Sequence, residues 1–174
     1  MTSFGADRTV PVARIVLLSV TVLVLHVLLF SRFSLFAVRP EPFLLLTIVG
    51  ALQLGPSGGA MLGCVAGFSA DLLSSLPLGL WLLVCGVIGL AVGSIGVQLT
   101  TDRRRAATIA SVVGCTVIGL IMYPALAFAV SEQRYPPPLR YITIIVLAVL
   151  WNLLLMPAFS VASHRLLSPK RVSR

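Results

Sequence analysis

Gly55-Pro-Ser-Gly-Gly59-Ala-Met-Leu-Gly63-Cys-Val-Ala-Gly67-Phe-Ser-Ala-Asp71 is the stretch on which the fold turns. Glycine stands at every fourth position from Gly55 to Gly67, and the next step of four lands on Asp71. In a helix, residues four apart share one face. A face without side chains lets a second backbone approach closely. A carboxylate at the end of that face, among apolar residues, is costly unless something holds it.

The rest of the chain makes the setting a membrane. Of 174 residues, 58% are hydrophobic and 10% charged, with a mean hydropathy of +1.06. A soluble domain carries about 25% charged residues. The apolar residues fall in long runs, which points to an all-α integral membrane protein in one compact bundle. The runs cover 15–30, 43–54, 58–73, 78–99, 106–130 and 139–162. A leader (1–14), one transmembrane helical domain (15–163) and a basic tail (164–174) follow from that division. The leader lacks a small-x-small cleavage site, so the first run is expected to stay as a span.

About 20 residues are needed to cross a bilayer. Residues 43–54 fall short, and 43–73 taken together are too long for one straight span. Gly55-Pro56-Ser57-Gly58 reads as a turn between two short helices, giving about six transmembrane helices. One broken, partly re-entrant unit is the alternative. With both termini inside, nine cations lie inside: Arg8, Arg14, Arg103, Arg104, Arg105, Arg165, Lys170, Arg171 and Arg174. Four lie outside: Arg32, Arg39, Arg134 and Arg140. That bias agrees with the positive-inside rule, and a five-span arrangement scores the same.

The net charge of +8 could suit nucleic acid, but the basic residues flank apolar runs and are not interleaved with aromatics. They read as anchors facing anionic lipid, chiefly Arg103, Arg104, Arg105, Arg165, Lys170 and Arg171. No nucleic-acid partner is expected. Cys64, Cys85 and Cys115 each lie inside an apolar run and form no CxxC or Cys/His cluster, so neither a disulfide frame nor a metal site is expected.

A second glycine stripe, Gly79, Gly86, Gly89, Gly93 and Gly96, keeps to one face of its run. Ser111, Gly114 and Gly119 form a weaker set. These faces can pack the protein's own bundle, receive a partner's transmembrane helix, or border a small-ligand cavity. Asp71 can cap the turn after it or meet another helix or subunit. His26 reads as a carbonyl-bonded histidine inside the bundle, with a proton or ligand role as the alternative. Asn152 suggests an interhelical hydrogen bond, Pro157 a kink, Trp81, Trp151 and Tyr123 packing or interfacial belts, and Tyr135 and Tyr141 the outer membrane boundary. The five acidic residues, Asp7, Glu41, Asp71, Asp102 and Glu132, share no helix face. HExxH, GxSxG and phosphate-gripping glycine loops are missing, so no enzyme and no cofactor is expected.

Gly63-Cys-Val-Ala-Gly67-Phe-Ser-Ala-Asp71-Leu72, followed by Leu78-Gly79 and preceded by Arg39-Pro40-Glu41, resembles the signature region of the MreD family of rod shape-determining proteins. The match covers about residues 39–96. Pro42 departs from the pattern, and Gly55 and Gly59 carry no family role. The resemblance implies a multi-pass protein of the bacterial plasma membrane with cytoplasmic termini. It implies a fold similar to the six-helix substrate-binding subunits (S-components) of energy-coupling-factor vitamin transporters. It also implies a non-catalytic scaffold of the elongation machinery that binds MreC and works with MreB, RodA and a penicillin-binding transpeptidase to organise peptidoglycan synthesis. From their spacing, Gly55, Gly59, Gly63, Gly67, Asp71, Gly79, Gly86, Gly89 and Gly93 are expected to serve helix packing or partner binding. The competing expectation is a subunit that captures a small, vitamin-type molecule for a transporter. It would draw on His26, Asn152 and Asp71.

Overall fold

The computed structural model describes residues 12–30, 41–74, 78–99, 104–131 and 138–167. Five α-helices account for nearly all of them, and no strand occurs among the described residues. Helix α1 (Val12–Leu25) runs directly into a π-helical turn, His26–Phe30. Then come α2 (Pro42–Asp71), α3 (Leu80–Gln98), α4 (Arg104–Ser131) and α5 (Pro138–Leu167).

Helix α2 is the centre of the bundle and packs against each of the other four helices. Its first part, Pro-Phe-Leu-Leu-Leu-Thr-Ile-Val-Gly-Ala-Leu, is buried without interruption. A helix that is apolar all round has no face to give to water and belongs in the interior. Its few polar groups are satisfied locally or across the bundle. The Thr47 hydroxyl donates to the Phe43 carbonyl at 2.9 Å, and Gln53 Nε2 donates to Ser163 Oγ of α5 at 2.7 Å.

Gly55 breaks α2. Its φ of +82° and ψ of −174° lie far from helical values. A proline follows, which disfavours the helical conformation in the residue before it, and glycine tolerates positive φ where other residues do not. The two arms, 42–54 and 56–71, fold back on each other at this point. In a straight helix Ala51 and Gly59 would be about 12 Å apart along the axis. Here a methyl group on Gly59 would lie 2.8 Å from the Ala51 side chain. Thr47 likewise reaches α3 beside Gly89, the residue that faces Gly59.

The expected turn at Gly55-Pro56 is present: the non-helical backbone of Gly55 separates two short helices, 42–54 and 56–71, which are numbered together as α2. With α2 taken whole, four elements are long and apolar enough to cross a membrane: Pro42–Asp71, Leu80–Gln98, Arg105–Val130 and Arg140–Ser163. The apolar part of α1, Ala13–Leu28, is shorter. The arms of α2 are about 20 and 24 Å long, each less than the roughly 30 Å hydrocarbon core.

The second arm of α2 and α3 run antiparallel with their glycines in register. A methyl group on Gly59 would strike the Gly89 carbonyl, one on Gly63 the Cys85 carbonyl, and one on Gly67 the Trp81 carbonyl. From the other side, Gly89 faces the Gly59 carbonyl, Gly93 the Gly55 carbonyl and Gly96 the Leu52 backbone. Backbone meets backbone along the whole seam. Such proximity gives dense dispersion contacts and weak Cα–H···O interactions, which drive helix association when lipid is the solvent.

Helices α4 and α5 close the bundle more loosely. Asn152 Nδ2 of α5 donates to Thr116 Oγ1 of α4 at 3.0 Å, with both side chains fully buried. Gly119 of α4 packs on Leu44 and Ile88, whereas nothing lies near the position a Gly114 side chain would take. The outward faces of α4 and α5 are apolar and exposed, for example at Ile118, Ile121, Phe128, Ile142, Leu150 and Leu154.

Leucine at Gly63 cannot fit without parting α2 from α3. Gly63→Leu is expected to cost about 1–3 kcal/mol or more and to lower the thermal unfolding midpoint in detergent. Gly114→Leu is expected to leave that midpoint unchanged. Equal melting of the two variants would show that the seam does not hold the bundle.

Candidate functional site

The ends of several helices converge at one end of the bundle. The fold-back at Gly55 brings residue 41 next to residue 71, and with them come the end of α1, the start of α3, the second half of α4 and the start of α5.

Asp71 organises this end. It closes α2 and is only 1% exposed. Its carboxylate accepts three backbone N–H bonds from the beginning of α3. Gly79 donates to Oδ2, Trp81 to Oδ1 and Leu82 to Oδ2, each at 3.0 Å. These donors would otherwise be the unsatisfied first N–H groups of α3. A carboxylate there also faces the positive end of the helix dipole. Gly79 takes φ +103°, which turns the chain so that its own N–H points back at Asp71. The last turn of α2 is finished by Leu72, Leu73 and Ser74 donating to the carbonyls of Phe68, Ala70 and Asp71.

Aromatic residues build outward from that cap. Trp81 stacks on Tyr123 of α4, with ring centroids 4.3 Å apart and planes 24° apart. The Tyr123 hydroxyl shares a 2.8 Å hydrogen bond with Ser74 Oγ. The Tyr141 hydroxyl of α5 donates to the Leu120 carbonyl of α4. His26, in the π-helical turn, lies against Phe43 with centroids 5.5 Å apart. Together these groups, with Glu41 and Leu73, line an open cavity of about 340 Å³.

The predicted residues fall into distinct places. Gly59, Gly63, Gly67, Gly89 and Gly93 are buried in the seam between α2 and α3. The chain's own helix occupies the face that a partner's helix would need. Gly55 forms the bend, Gly79 opens α3, and Gly86 faces the Cys64 sulfur. Arg105 is exposed at the start of α4, at the end of the bundle opposite the cavity. Arg104 and Arg165 lie in α4 and α5, while Arg103, Lys170 and Arg171 are outside the described residues. Asp71 and Asn152 do not converge on one cavity: Asp71 is committed to α3, Asn152 to Thr116, and neither lines the space around His26.

Glu41, Phe43, Trp81, Tyr123 and Tyr141 are the cavity residues that sequence alone does not bring together. Glu41 reads as a loop or segment-end residue, Tyr123 as a packing or interfacial side chain and Tyr141 as one at the outer membrane boundary. The available clue is indirect: a turn at Gly55 places residues 41 and 71 at the same end. Among the described residues no group of three or more His, Cys, Asp or Glu side chains could hold a metal ion, and the three cysteines are free.

The seam and its capped turn put geometry behind the Gly-x3-Gly-x3-Asp-Leu motif. A family model for rod shape-determining protein MreD matches residues 7–160. The chain belongs to the MreD family. No curated protein and no solved structure matches it. Within this MreD chain the motif is one mechanical unit: Gly63 and Gly67 bring α3 against α2, and Asp71 then fastens the N-terminus of α3. Family membership gives it a role in determining rod shape, and its apolar helices make it a membrane protein.

Removing the cap leaves three buried donors unmet. Asp71→Ala is expected to destabilise the protein by about 2–4 kcal/mol. Asp71→Asn, which keeps one acceptor oxygen, should fall between it and the parent. Thermal melting in detergent checks the order. An Asp71→Ala protein that melts with the parent would show that the carboxylate does not hold α3 in place.

Proposed function

We propose that this MreD-family chain is a non-catalytic scaffold of the cell-elongation machinery in the bacterial plasma membrane. In this reading it binds MreC and, through it, helps organise peptidoglycan synthesis with MreB, RodA and a penicillin-binding transpeptidase. The family match over residues 7–160 carries the proposal. The tight α2–α3 seam supports it by making a stiff central block, around which α4 and α5 leave broad apolar faces uncovered. Residues 103–105 and the tail would face the cytoplasm and anionic lipid, with both termini on that side. The six-rod arrangement implied by counting α1, the two arms of α2, α3, α4 and α5 would match the S-component architecture.

The contact with MreC would then use an open face instead of the occupied glycine seam. Gly114 is the described glycine inside a spanning helix that has free space where a side chain would stand. Its neighbours one helical turn either way, Ala110 and Ile118, are exposed. A small residue on an open face admits close approach of a second helix.

A second reading is favoured by the cavity alone: a subunit that captures a small molecule for a vitamin-type transporter. That role would require copurifying ATPase subunits, and neighbouring reading frames for them in the chromosome.

Co-expression with MreC in a bacterial membrane separates these readings. The parent is expected to bring MreC through two purification steps, and Gly114→Leu is expected to lose most of it while melting normally. If the parent recovers ATPase subunits and no MreC, the scaffold reading fails. If Gly114→Leu recovers MreC undiminished, the contact lies on another face.

A further inference from the structure

Helix α4 carries a proline in its second half, and there the helix cannot make one of its own bonds. Pro124 has no N–H, so the carbonyl four residues back, that of Leu120, loses the donor that a continuous helix would give it. In an apolar bundle a carbonyl without a donor is costly. The Tyr141 hydroxyl of α5 donates to that same carbonyl. Tyr141 thus meets α4 at the acceptor that Pro124 leaves open.

The proline also divides α4 by how it is held. Before it, Thr116 bonds to Asn152, Gly119 packs on Leu44 and Ile88, and Tyr123 stacks on Trp81 and shares a hydrogen bond with Ser74. Beyond it, Ala127 is buried, but Ala125, Phe128, Ala129 and Val130 are exposed. Sharp bends in helices fall at prolines, and hinges are a few residues that take up the change between a fixed part and a moving one. Leu120, Tyr123, Pro124 and Tyr141 all line the cavity at the capped end, so a motion at this point alters its wall.

We propose that α4 hinges at Pro124 and that the Tyr141 hydroxyl is the latch holding its last part, 125–131, closed against α5 beside the cavity. When the latch releases, the Leu120 carbonyl exchanges the tyrosine for water entering between α4 and α5, and the cavity opens on that side. One hydrogen bond is a weak enough hold to open reversibly. The inference does not depend on the scaffold reading, since it rests on Pro124, Leu120 and Tyr141 alone.

The chain has two tryptophans, so Trp151→Phe leaves Trp81 as the only one, and its emission reports on the cavity. In the full-length protein in nanodiscs, quenching of Trp81 by acrylamide, a small neutral probe, measures the opening. Tyr141→Phe is expected to raise the quenching constant by about fivefold, the factor that one net hydrogen bond carries. Pro124→Ala restores an N–H to Leu120 and removes the hinge, so in that background Tyr141→Phe should change quenching little. Beside Pro157→Ala, which removes the proline of α5 instead, Tyr141→Phe should keep its full effect. Melting without quencher confirms that each variant is folded. The proposal is overturned if folded Tyr141→Phe quenches like the parent, or if its effect is the same with and without Pro124→Ala. It is also overturned if Pro157→Ala cancels the effect as fully as Pro124→Ala does. Should Tyr141→Phe alone not fold, its rescue by Pro124→Ala supports the latch, and failure of the double variant to fold overturns it.

Discussion

Everything in this bundle depends on two stretches of bare backbone lying against each other in a solvent that offers no hydrophobic reward for doing so. Lipid tails are as apolar as leucine, so helices gain from association mainly where they pack more densely than lipid can. The α2–α3 seam does this with carbonyl groups sitting where side chains would be: Gly59 against Gly89, Gly63 against Cys85, Gly67 against Trp81. The repeat of four keeps each glycine on the same face as α2 rises, and α3 matches it with Gly89 and Gly93. Register and depth are fixed together, because a slip by one residue would bring a side chain into a space that holds none.

The seam also decides where a charge can be buried. A carboxylate almost fully removed from solvent is tolerable only with donors close by. Asp71 stands at the end of α2, and the seam sets the start of α3 directly beside it, so the first N–H groups of α3 and the carboxylate satisfy each other. Two costs that would each be severe, an ion in an apolar bundle and a buried helix terminus without partners, offset one another. Trp81 takes its place within this cap, and its stack with Tyr123 ties α4 to the same end. The cavity is thus a consequence of the cap: its wall is made of rings held by groups that Asp71 and Ser74 have already positioned.

Local features were legible in the sequence, and partnerships across the chain were only partly so. The break at Gly55-Pro56 reads directly, because proline and a glycine at positive φ have local causes. That the two arms fold back tightly enough to bring Ala51 against Gly59 does not read, since it depends on how sharply one residue bends. The four-residue glycine spacing announces a close contact but not with whom, and here the contacting backbone is 22 residues on for Gly63, at Cys85. Asp71 can be suspected of capping a turn, whereas its donors at Gly79, Trp81 and Leu82 follow only once α3 is docked. Glu41, Tyr123 and Tyr141 gave no signal of a shared site. Nothing in the residues around them specifies a common cavity, because they meet through packing between helices separated by most of the chain.

Burial falls off steeply from the centre of this protein to its periphery, and that gradient bears on what the molecule can do. The first arm of α2 is enclosed on every side, whereas α4 and α5 keep much of their apolar surface exposed. Three polar side chains of these outer helices, Thr116, Asn152 and Ser163, are turned inward and buried, while Thr143 stays exposed among apolar neighbours. An apolar surface presents a fixed shape only if it holds still, and the backbone seam supplies that stiffness from within. A glycine ladder buried inside the chain is consequently compatible with a protein that works by contact. It acts one layer away, by fixing the helices against which α4 and α5 rest.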